Sequence, residues 1–305
     1  MAENYNSSPL GFINIYKPEG LTSHDVVAKL RRVTKIKQIG HTGTLDPFAT
    51  GVLPVAIGKA TKLIEYLDDD KQYLATVQFG KNTQTYDIEG EITEVFEKKV
   101  SREEILDALK TFEGEISQIP PIYSAIKVNG RKLYEYARKG EEVEIKSRKV
   151  FISKIELKEF DYETQSAKIL IACSKGTYIR SIAYDLGKIL GCGAYLTALE
   201  RTKAGRFNVE TSVKLDTLQE SNTVLQNLLN PLEVMSLPVY ELSDSDRIKV
   251  QHGMAIKNHG CKNLDIVFLI YSGKIYAIGK VEQDKILVKK VFEVLWKRLF
   301  YWLVY

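Results

Sequence analysis

The chain has 305 residues, 44% of them hydrophobic and 27% charged, and a net charge of +4. This excludes a disordered or collagen-like chain, allows one large domain or two ordinary ones, and permits an anionic partner without demanding one. Three scattered cysteines exclude a disulfide framework, and no apolar run approaches the ~20 residues that cross a bilayer, so a cytoplasmic protein without membrane contact is expected.

The first residues lack a basic stretch followed by an apolar one, so no secretory signal is expected. Residues 12–16 read as a short strand closed by the turn cluster Lys17-Pro18-Glu19-Gly20. Ser23 reads as the N-cap of a helix to about Val33. Residues 38–51, with Gly40, Gly43, Pro47 and Gly51, read as a structured loop. A buried strand is expected over 52–57, then a helix with Leu63, Ile64 and Leu67 inward. Residues 73–79 alternate as a strand. Ser101 to Glu104 is a capping box opening a helix to about Phe112.

Paired strands are expected over 150–157 and 167–173. Thr177 then opens a helix carrying Ile179, Ile182, Ala183 and Leu186. Gly191 and Gly193 separate it from a short helix holding Leu196 and Leu199. Strands and helices do not alternate regularly, which favours an α+β fold with a mixed, mainly antiparallel sheet and flanking helices. Prolines at 231 and 238 suggest a boundary, giving a catalytic domain over 1–235 and a small β-barrel-like module over 236–305. Ser272-Gly273 reads as its hairpin turn. Phe292, Leu295, Trp296, Leu299, Phe300 and Leu303 form an apolar helical stripe at the end.

The densest unusual segment is Gly40-His41-Thr42-Gly43-Thr44-Leu45-Asp46-Pro47-Phe48-Ala49-Thr50-Gly51. Pro47 biases Asp46 toward extended backbone, on a loop between ordered elements. Alone, Asp46 is as well read as a turn former, and His41 as an ordinary polar residue. Lys29, Arg31, Arg32, Lys35 and Lys37 could neutralise phosphates or form a solvated helix face. Arg180 sits in the first turn of a helix, where the dipole disfavours a cation. An anionic partner would explain it, and Asp46 is the candidate. The four histidines do not cluster, so no metal is expected.

The run from Gly40 to Pro54 resembles the catalytic signature of the bacterial tRNA pseudouridine-55 synthases, the TruB family. Further matches follow in order: Lys17-Pro18 with Gly20, Thr22 and Ser23; Lys71, Tyr73 and Ala75; Thr83, Thr85 and Asp87; Gln118 to Gly130; Gly176 to Arg180; and Leu199 with Arg201-Thr202. They cover roughly residues 10–210. The module after residue 238 is only loosely similar to a PUA-type RNA-binding domain.

The resemblance implies isomerisation of a tRNA T-loop uridine to pseudouridine, with no cofactor and no metal. By resemblance, Asp46 is the nucleophile, Arg180 pairs with it, and Tyr73 stacks on the flipped base. Leu199 packs against that base and His41 fills the space it leaves. Lys17, Lys29, Arg31 and Arg32 bind substrate. The expected partner is the T-stem-loop of tRNA, bound by a monomer. A guide-RNA-dependent enzyme and a tRNA-folding protein are the competing readings. Residues 236–305 carry 11 basic and 7 acidic side chains, so the whole net charge of +4 falls there.

Overall fold

The computed structural model describes residues 9–263 and 265–292. The expected apolar helix lies, beyond Phe292, outside the described residues.

The chain opens with β1 (Leu10–Lys17), α1 (Ser23–Thr34), β2 (Ile39–His41), β3 (Thr50–Gly58), a 3-10 helix (Lys59–Tyr66) and β4 (Lys71–Phe79). A ribbon of β5 (Lys81–Thr83) and β6 (Ile92–Val95) leads to α2 (Arg102–Lys110) and β7 (Gly114–Gln118). A small hairpin, β8 (Lys127–Val128) and β9 (Arg131–Lys132), carries α3 (Leu133–Lys139). Then come β10 (Arg148–Asp161), β11 (Ser166–Cys173), α4 (Ile179–Leu190), β12 (Ala194–Ala204), β13 (Phe207–Asn208) and β14 (Val213–Lys214). Short helices α5 (Ser221–Gln226) and α6 (Pro231–Val234) precede the last group. That group is β15 (Val239–Glu241), α7 (Asp244–Gln251), β16 (Ile256–Lys257), β17 (Ile266–Tyr271), β18 (Lys274–Glu282) and β19 (Lys285–Val291).

The main sheet runs β14-β1-β3-β12-β4-β11-β10-β7, with β2 beside β3 and β13 beside β12. Only the β1–β14 and β3–β12 pairs are parallel. The fold is therefore α+β with a mainly antiparallel sheet. Along β4, Tyr73, Ala75, Val77 and Phe79 point inward and alternate with half-exposed residues, as a strand with one buried face requires. Helices α1, α2 and α4 bury Val26, Val27, Leu30, Ile105, Leu109, Ile182 and Leu186 in the same core. Among the described residues, no helix is long and apolar enough to cross a membrane.

Three local expectations are corrected. The N-cap of α1 is Thr22, whose hydroxyl accepts from Asp25 in a full capping box; Ser23 is the first helical residue. Tyr178, not Thr177, precedes α4, and the Thr177 hydroxyl donates to the Ser174 carbonyl at 2.9 Å. The helix expected around Leu196 and Leu199 is the central strand β12. Its register slips between Leu196 and Ala198. A bulge adds one residue and resets the alternation, so two leucines three apart share the buried face of a strand and imitate helical spacing.

Strand β12 approaches β3 very closely. Gly51 has φ +100°, and a Cβ there would lie 2.3 Å from the Arg201 carbonyl oxygen. Both the conformation and the space demand glycine. Gly51→Ala is therefore expected to lower stability by at least ~2 kcal/mol, as measured by denaturant unfolding.

The second sheet has the order β15-β17-β18-β19-β16 and curls into a half-barrel. Ser272 and Gly273 take positive φ between paired Tyr271 and Lys274, the turn expected there. One hydrophobic cluster joins the two sheets. Phe12, Val52, Ala56 and Leu63 from the first part pack with Phe268, Ile275, Ile278 and Phe292 from the second. Polar contacts reinforce it: Lys59 donates to the Phe292 carbonyl, Lys290 pairs with Glu65, and Arg206 bonds Ser236, which bonds Asp68.

Candidate active site

The Asp46 loop joins β2 to β3, and its backbone is tied on several sides. Thr42 N–H donates to the Pro54 carbonyl at 3.0 Å, and Gly20 N–H to the Pro47 carbonyl at 2.9 Å. The buried Ser23 hydroxyl accepts from Leu45 N–H at 2.8 Å and donates to the Leu45 carbonyl at 3.2 Å. Leu45, Phe48 and Ala49 anchor the loop in the core, while the Asp46 side chain remains 33% exposed.

Arg180 meets Asp46 as a fork. Its Nε lies 3.0 Å from Oδ2, and Nη2 donates to Oδ1 at 3.2 Å. The same guanidinium reaches Asp87 Oδ2 at 3.2 Å, the Thr85 carbonyl at 3.1 Å and the Tyr123 carbonyl at 3.0 Å. Helix α4 presents it from its first turn, buried. Two carboxylates and two carbonyls compensate a cation at the unfavourable end of a helix. Burial raises the Asp87 carboxyl, against the hydrogen bond from Thr85 and the charge of Arg180. Asp87 stands out in the sequence only as a motif position. Asp87 lies between β5 and β6 and Arg180 on α4, with β6 to β11 between them in the chain, so no spacing rule exposes the pair.

Tyr73 is buried on β4, and its register partner on β12 is Arg201. Burial raises the Tyr73 phenol; Arg201, a hydrogen-bond partner of its side chain, works against that. His41 lies at the end of β2 with its ring 6.0 Å from that of His24. Burial lowers its imidazole, as do the charges of His24 and Arg201, which favours the neutral form. Leu199 is buried on β12 and borders a cleft of about 270 Å³ with Phe48, Thr50, Leu74 and Glu200.

The basic residues divide. Lys17 is fully buried, and its ammonium donates to the carbonyls of Pro18 at 2.8 Å, Leu21 at 2.7 Å and Pro47 at 3.1 Å. That uses all three donors, so Lys17 shapes the loop from within and does not face a substrate as expected. Lys29 donates to the Leu215 carbonyl at 3.0 Å, and one Arg31 nitrogen to the Ile39 carbonyl at 2.7 Å. Both are thus partly engaged within the chain. Arg32, Lys35 and Lys37 are exposed.

Burial pushes the Lys17 ammonium down to about 8 from 10.5, with Asp46 the strongest opposing charge. Above that pH the folded protein releases the proton, while the unfolded chain keeps it until 10.5. Its contribution to stability therefore rises between these values, even as the loop loses a donor. The expected result is a single-turnover rate that declines above about pH 8 without a matching fall in thermal midpoint. Lys17→Met, slower overall, should lack that alkaline limb.

A mixed sheet thus clamps a loop-borne carboxylate against a buried arginine. Residues 31–179 match the N-terminal domain model of the TruB family pseudouridylate synthases. Residues 180–236 match the tRNA pseudouridylate synthase B C-terminal domain. The chain is therefore a pseudouridylate synthase, and it belongs to the TruB family of these enzymes. The tRNA pseudouridine synthase B of Clostridium tetani is 40% identical over 290 residues, covering 92% of this chain and 99% of the relative. That of Francisella philomiragia is 43% identical over 295 residues, covering 93% and 95%. Among solved structures, a Cbf5-Nop10-Gar1 complex contains a chain with TM-score 0.70 and 28% identity, covering 93% of this chain and 85% of that one. An H/ACA RNP bound to a substrate RNA containing 2'-deoxyuridine gives TM-score 0.67 and 27% identity, covering 94% and 88%. The half-barrel from Val239 onward lies beyond both family models.

Proposed function

We propose that this enzyme isomerises a uridine in the T-loop of tRNA, position 55, to pseudouridine, with Asp46 as nucleophile. The observation that carries the reading is the Asp46 carboxylate, forked by Arg180 on a rigid loop yet still partly open to solvent. The names of the curated relatives support tRNA as the substrate.

A base inside a stack cannot reach such a loop, so the nucleotide is flipped out. Asp46 attacks the uracil ring or the ribose C1′, the N1–C1′ bond breaks, and the uracil rotates. A C5–C1′ bond forms, C5 gives up its proton, and N1 gains one. No atom is lost overall. This is covalent catalysis by a carboxylate. Tyr73 stacks on the base and assists removal of the C5 proton. Leu199 packs against the base and His41 takes its place in the helix. Exposed cations near α1, Arg32 first among them, hold phosphates without reading sequence. Residues 1–235 form the catalytic part and 236–305 an RNA-binding module.

The ribonucleoprotein setting of the solved neighbours favours one second reading, dependence on a guide RNA. An unmodified tRNA transcript labelled with tritium at uridine C5 separates the two. Purified protein alone should release tritium to water; release only after a guide RNA is added would replace the stand-alone reading.

A further inference from the structure

We propose that Arg201 is a positioning residue for this reaction, fixing the Tyr73 phenol and the Asp46 loop relative to each other; this rests on the function proposed above. Arg201 is the largest fully buried side chain among the described residues. Unlike Arg180, it has no ion-pair partner among them. Its guanidinium instead faces backbone: Nε donates to the Val52 carbonyl at 2.7 Å, Nη2 to the Gly43 carbonyl at 3.2 Å, and Nη1 faces the Thr44 carbonyl at 3.5 Å.

A buried cation without a carboxylate is a poor device for stability, since an apolar side chain of similar volume would serve as well or better. What the guanidinium does supply is geometry. Gly43 and Thr44 lie three and two residues before Asp46, Val52 lies on the strand that leaves the loop, and Tyr73 is the cross-strand neighbour. One rigid planar group therefore ties both ends of the loop from the strand position paired with Tyr73. Its aim is set by β12 itself. The strand is irregular on either side of Arg201, between Leu196 and Ala198 and again between Arg201 and Lys203. Bulges re-aim side chains, and Gly51 admits the Arg201 backbone against β3 where any other residue would collide.

The test compares Arg201→Met, which removes the unpaired charge and keeps the bulk, with Arg201→Lys, which keeps the charge and loses the planar fork. RNA dissociation constants, thermal midpoints and single-turnover rates at saturating enzyme are measured for each. Both variants should bind tRNA transcript within about threefold of the parent and fold, yet react at least ~100-fold more slowly, the scale on which misplacement of reacting groups acts. In a Tyr73→Phe background the loss from Arg201→Met should shrink, because part of it travels through the phenol. Rates within threefold of the parent would overturn the proposal. So would failure of both variants to fold, losses matched in affinity and rate, or losses that multiply independently of Tyr73. Should Asp46→Ala be inactive while both Arg201 variants react normally, the inference falls and the proposed function stands.

Discussion

Removal of residues 236–305 is expected to abolish turnover and to leave a poorly folded remainder, beyond any weakening of RNA binding. A detachable RNA-binding module would lower affinity and leave the chemical step intact. The two sheets, however, share one core. Phe268, Ile275, Ile278 and Phe292 cover Phe12, Val52, Ala56 and Leu63. Re-exposing a large apolar side chain costs ~1.5–3 kcal/mol, so uncovering several of them approaches ~10 kcal/mol, the size of a whole domain's stability. Of the strands exposed, β3 leads out of the Asp46 loop and β1 pairs with β3 along its length. Circular dichroism and single-turnover kinetics of the truncated protein check this. A cooperative melt near that of the full chain, with an unchanged rate at saturating enzyme, would show that the sheets are energetically separate.

Arg180→Lys is expected to cost at least ~1000-fold in single-turnover rate, though charge is conserved. The guanidinium contacts Asp46 through two nitrogens and Asp87 through a third. A lysine ammonium is a point donor on a flexible stem and cannot fork one carboxylate while holding another. Asp87 is deeply buried, and a buried carboxylate that loses its partner costs ~3–5 kcal/mol. The variant should therefore melt earlier as well. Asp87→Asn in the same background should recover stability without rate. A rate within tenfold of the parent would mean that charge alone, without the fork, suffices.

Much of this site can be read in the sequence because its parts lie in contiguous runs. The Gly40–Gly51 segment, the Tyr73 strand and the Gly176–Arg180 turn each carry a local signal, and the contact of Asp46 with Arg180 follows from asking why a cation occupies the start of a helix. What escapes such a reading is long-range or depends on register. Lys17 looks like a phosphate ligand until the fold wraps three carbonyls around it. The pairing of Asp87 with Arg180 crosses 93 positions, as the numbering shows. Strand β12 passes for a helix because a bulge puts Leu196 and Leu199 on one face. The prolines at 231 and 238 are local signals, but nothing local reveals that Phe12 and Phe268 lie in one core.

On the function proposed, the Asp46 carboxylate does the chemistry on a uridine of tRNA without help from another macromolecule. The most direct measurement is a single-turnover assay of Asp46→Ala against the parent, on a T-arm transcript with tritium at uridine C5, at enzyme concentrations that saturate binding of both. Comparable RNA affinity is expected, with full tritium release by the parent alone and none above background by the variant. Sustained release by the variant would contradict the proposed function.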